Sequence, residues 1–110
     1  MVDIIALDNI KKELYEMEDK IIKERQARVN KNGSTFSYRL YELRVGQRRE
    51  EEQQMSMTER IETYKERFED IVNQHTINIE DTLDKGLCLV AVGAIHNARK
   101  CQFELDNLEV

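Results

Sequence analysis

The sequence predicts an all-α protein: a long antiparallel helical hairpin plus a third long helix, coiled-coil-like and assembled into a homo-oligomeric bundle. Three observations point there. Proline is absent and only four glycines occur in 110 residues, whereas a sandwich or barrel of short strands needs turn residues every ~8–12 positions. Charged residues make up 35% of the chain and aromatic residues 6%, which suits long helices with wet faces better than one thick core. Apolar residues recur in alternating steps of three and four, an organisation that a disordered chain lacks. The length allows one domain at most, so residues 1–110 read as a single helical domain.

The first helix is expected over residues 3–29. Leu7, Ile10, Leu14, Met17 and Ile21 form one stripe, with Glu24 and Arg28 next in register. Acid-before-base pairs four apart (Glu16–Lys20, Asp19–Lys23, Glu24–Arg28) add a few tenths of a kcal/mol each. Asn30-Lys31-Asn32-Gly33-Ser34 is the clearest turn signal in the chain. A second helix is expected over 36–75 with one unbroken register: Phe36, Leu40, Leu43, Gln47, Glu50, Gln54, Met57, Ile61, Tyr64, Phe68, Ile71 and His75. Its middle is polar, so it either continues or breaks within 46–55, near Gly46, and restarts at the capping box Ser56-Met57-Thr58-Glu59. Alternation of Phe36, Tyr38 and Leu40 allows a strand at 35–41 as a lesser alternative.

Asn78-Ile79-Glu80-Asp81 reads as a cap followed by first-turn acids, opening a third helix over 79–108. That helix carries Leu83, Leu87, Val90, Ala94, Ala98, Cys101, Leu105 and Leu108. Between 86 and 98 it is apolar nearly all round, and such a helix must be enclosed by protein. Two other helices of one chain can hardly enclose it, so further subunits are expected to. The expected oligomer interface is Leu83, Leu87, Val90, Gly93, Ala94, Ala98 and Leu105, with the small residues admitting a close neighbour.

Residues able to carry chemistry are few. His96 lies five residues before Cys101 and His75 belongs to another element, so neither has the paired short spacing of a zinc site. Cys88 and Cys101, thirteen apart, sit roughly 220° around and about 20 Å along one helix, too far to bridge. There is no glycine-rich phosphate loop, Gly-x-Ser-x-Gly or CxxC pair. The expectation is therefore no enzyme, no metal and no cofactor. Free thiols and an amino terminus without a basic-then-apolar leader suggest a soluble, cytoplasmic protein. The longest apolar run, Leu87 to Ile95, is half the roughly 20 residues a membrane span needs.

Charge is unevenly placed. Residues 20–49 carry net +7, against −4 for residues 1–19 and −8 for 50–110. A hairpin turn at 30–34 would make a basic tip of Arg25, Arg28, Lys31, Arg39 and Arg44 on an acidic body, with Phe36, Tyr38 and Tyr41 beside it. Such a tip could be plain solvated surface, could dock on a neighbouring subunit's acids, Glu50, Glu51 and Glu52 foremost, or could grip the phosphates of a single strand. The overall acidity favours protein. The function expected is a structural or assembly protein, a building block or adaptor that binds copies of itself and another protein of a larger complex. The alternative is a nucleic-acid-binding module using residues 20–49. Small, proline-free chains of this kind are common among phage and secretion-machine components, an analogy of composition alone.

Overall fold

The computed structural model describes residues 3–32, 36–81 and 85–108. Those residues form four helices and no strand: α1 (Ile4–Asn32), α2 (Phe36–Glu52), α3 (Met57–Asp81) and α4 (Lys85–Asp106). Among the described residues no helix is long and apolar enough to cross a membrane. Partners 18 with 49 and 15 with 52 make α1 and α2 an antiparallel hairpin, and partners 69 with 99 and 65 with 106 do the same for α3 and α4. Glu18 beside Arg67 and Glu24 beside His75 set α1 parallel to α3. The α3–α4 pair is the most extensive, α1 lies against both, and α2 packs on α1. The molecule measures 47 × 27 × 17 Å, its long axis about one α1 length of ~43 Å.

Local chemistry explains the helix ends. Asp3 caps α1, its Oδ1 accepting from the Ala6 amide at 3.1 Å. Ser56 and Glu59 form a reciprocal capping box: the Glu59 amide donates to Ser56 Oγ at 3.2 Å and the Ser56 amide to Glu59 Oε1 at 3.4 Å. The break before it falls at 53–56, beyond Gly46, through which α2 runs unbroken. Amides of Gln53, Gln54 and Met55 donate to the carbonyls of Glu50, Glu51 and Glu52, and Arg60 Nε donates to the Glu52 carbonyl at 3.2 Å.

Four expectations are corrected. Asn30, Lys31 and Asn32 continue α1, so the expected turn starts later; Gly33, Ser34 and Thr35 lie outside the described residues. Asn78–Asp81 closes α3 instead of opening a third helix, because the α3 stripe carries the chain past His75; the last helix begins at Lys85, and Leu83 lies outside the described residues. The α2 seam also faces the other way. Tyr41, Val45 and Glu52 are buried while Leu40 and Leu43 are exposed, because α2 turns the face of Tyr41, Val45, Arg49 and Glu52, not its leucines, towards the other helices. Residues 36–41 are helical, not a strand.

The core is one cluster. Leu7, Ile10, Leu14 and Ile21 of α1 meet Ile61, Tyr64, Phe68, Ile71 and Val72 of α3 and Ala98, Cys101 and Leu105 of α4. The α1 and α3 stripes are in the register that their three-and-four spacing requires.

Candidate interaction surface

A buried ion cluster fixes three helices relative to one another. Arg67 of α3 is fully buried and grips Glu18 of α1 with two hydrogen bonds, Nε to Oε2 at 3.0 Å and Nη2 to Oε1 at 2.6 Å. Its Nη1 donates to Glu52 Oε2 of α2 at 2.9 Å. The Tyr15 hydroxyl donates to the other Glu52 oxygen. Arg49 lies over the Tyr15 ring, 4.1 Å from its centroid, and reaches Glu18 at 3.3 Å and Asp19 at 3.0 Å. Burial opposes the Arg67 charge, but the hydrogen bonds and charges of Glu18 and Glu52 outweigh it and hold the guanidinium above its ordinary range. Burial, then the Glu52 carboxylate, push the Tyr15 hydroxyl up to about 12, so it stays a donor. The Arg67 donors are all paired, whereas Arg49 Nε is buried without a hydrogen-bond partner among the described residues; a buried network of this kind favours one packing over others.

Sequence reasoning missed this cluster, although a signal existed. Glu18 is four residues after Leu14 and three before Ile21, and Arg67 is three after Tyr64 and four before Ile71. Opposite charges thus stand inside the apolar registers of two different helices. The cluster also spends charges assigned to the surface. Arg49 is inside it, Arg48 pairs with Asp70 at 2.5 Å, and Glu52 is unavailable to any neighbour, so it leaves the expected acidic docking patch.

Around the rest of the expected basic tip, Arg39 and Arg44 are exposed and Arg25 lies 5.1 Å from the Tyr41 ring centroid. The side chains of Arg28, Lys31, Phe36 and Tyr38 lie outside the described residues. Cys101 is buried and donates to Glu13 at 2.8 Å; burial first, then that carboxylate, raise its thiol to about 12. Cys88 is half-buried and His96 exposed.

The residues expected at an oligomer interface separate into two groups. Ala98 and Leu105 are fully buried in the chain's own core, packed against α1 and α3, and leave no surface for a second chain. Val90, Gly93 and Ala94 come together on one wall of a cleft of about 280 Å³, facing Met17 and Ile21 of α1, with His75 of α3 also lining it. The Leu87 side chain lies outside the described residues. At about 100° per residue, the α4 seam of Ala91, Ala98 and Leu105 lies opposite a second stripe of Leu89, Val92, His96 and Phe103. That second stripe is bare: Leu89 is 73%, Val92 53% and Phe103 70% exposed. No protein-family model matches the chain, and no curated protein or solved structure matches it either.

His75 supplies a pH prediction. Burial is the largest influence on it and lowers its pKa; Lys20 and Arg25 of α1 lower it further, and Glu24 of α1 opposes them. The α4 wall it shares presents Asn97 and apolar groups, and no charge. Below the ordinary histidine pKa of about 6.5 the unfolded chain takes up a proton that the folded chain refuses. Stability is therefore complete above that value and declines as pH falls, by at most about 1.4 kcal/mol per pH unit from this group. Urea midpoints at pH 7 and pH 5 should differ more in the native chain than in His75→Phe; equal differences refute the assignment.

Proposed function

We propose that this chain is a cytoplasmic structural building block, not an enzyme, that works by associating with copies of itself through helix packing as part of a larger assembly. One observation carries the reading: α4 buries one stripe inside the chain and presents a second, apolar stripe to solvent. Large apolar side chains aligned on one helix face form a patch, and exposed patches mark interaction surfaces. The ion cluster supports the same reading, since a surface that must fit a partner needs a body with one fixed packing.

The second reading is single-strand nucleic-acid binding by residues 20–49, supported by exposed Arg39 and Arg44. Arg48 and Arg49, spent inside the chain, weaken it. Light scattering across protein and salt concentrations, beside titration of a labelled single strand, separates the two. Self-association with no strand binding is expected, and neutralising Arg25, Arg28, Lys31 and Arg39 together should leave mass unchanged if α4 carries the contact. A monomer that binds the strand, with affinity falling steeply as salt rises, favours the second reading.

A further inference from the structure

We propose that the bare stripe of α4 is covered by the same stripe of a second copy, running antiparallel, with the two-fold axis passing beside His96. This rests on the self-association reading and gives it a face and a direction.

The argument begins with spacing. In a two-fold antiparallel pair, positions equally far from His96 on either side face each other across the seam. Leu89 precedes His96 by seven residues and Phe103 follows it by seven. The two most exposed apolar side chains of α4 therefore meet one another, twice, once at each end of the contact. Gly93 lies one turn from Leu89, and a Cβ there would touch nothing within 4 Å, so the chain's own packing does not require glycine. Glycine in an exposed helix interior disfavours the helix relative to alanine. The notch it leaves beside Leu89 gives the incoming Phe103 ring room.

Charge selects the direction. Lys85 opens the same stripe, is exposed, and forms no ion pair among the described residues. Asp106 closes it at the other end, with a side chain 63% exposed and only a surface bridge to Lys65 at 2.8 Å. Antiparallel pairing sets each Lys85 against the Asp106 end of the other copy and opposes the two helix dipoles. A parallel pair would instead stack Lys85 on Lys85, and Arg99 and Lys100 on their counterparts, where like charges repel. A single seam about 32 Å long lies at the small end of specific interfaces, so the dimer should populate at upper-micromolar concentrations.

Disulfide trapping tests the arrangement. With Cys88 and Cys101 replaced by alanine, Leu89→Cys and Phe103→Cys are made as separate full-length proteins, checked for helicity, and oxidised alone and mixed. Both sites are exposed, so the fold should tolerate them, and in the mixed pair the second, symmetry-related Leu89–Phe103 contact stays intact. The mixture should cross-link several-fold more than either protein alone, and His96→Cys should cross-link with itself. Self-linking of Leu89→Cys and of Phe103→Cys would mean a parallel pair and overturn the proposal. A native chain that associates by light scattering while the mixture fails to link also overturns it, but leaves self-association standing. A native chain monomeric at upper-micromolar concentration, with no linking, removes both.

Discussion

Replacing Arg67 by methionine is expected to destabilise the fold by about 3–5 kcal/mol, because the buried Glu18 and Glu52 then keep only the longer bridges to Arg49 at 3.3 Å and to Lys11 at 3.7 Å. Total stabilities of small domains are about 5–15 kcal/mol, so the variant should sit near the edge of folding. The cost belongs to stranded carboxylates more than to the loss of attraction. Glu18→Met and Glu52→Gln added to Arg67→Met should therefore recover most of it, to within about 1–2 kcal/mol of the native chain. Chemical denaturation of the single and triple variants measures both. A triple variant no more stable than Arg67→Met would show that the cluster contributes through attraction and not through mutual neutralisation.

Phe68→Ala should cost a comparable ~3–5 kcal/mol for a different reason. Phe68 is fully buried in α3 within the cluster formed with α1 and α4, and its removal leaves a cavity those helices can only partly close. Equilibrium urea unfolding should show a lower midpoint with an unchanged slope, the mark of lost stability without a change in the surface exposed. A loss below about 1 kcal/mol would mean that α3 and α4 re-pack freely, contrary to a core held in one arrangement.

Much of this fold is legible in the sequence, and the failures share one cause. The α1 and α3 stripes stand out because Leu14, Ile61, Phe68 and Ile71 recur at helical spacing and are buried where that spacing puts them. In α2 the same reasoning selects Leu40 and Leu43, which face solvent, because it counts apolar residues and cannot foresee that Glu52 and Arg49 will be neutralised inside. Asn78 resembles a cap and so points to a helix start, although an Asn near a helix end can equally be its last turn. For the surface, the run 86–98 marks α4 as apolar nearly all round, but one sequence cannot tell which side meets the chain's own core. Ala98 and Leu105 turn inward and Leu89 and Phe103 outward, a division set by where α1 and α3 lie.

The corner between α2 and α3 has a mechanical consequence. A joint bends by releasing bonds, and here they are held on both sides: three backbone amides tighten the end of α2, the Ser56–Glu59 pair closes the start of α3, and Arg60 reaches back across the gap to the Glu52 carbonyl. Glu52 itself is clamped by Arg67, about two α3 turns beyond Arg60. The angle is thus braced like a gusseted bracket. A pull on α2 passes round the corner into α3 as torque on a stiff member, where an unbraced loop would let it dissipate as slack.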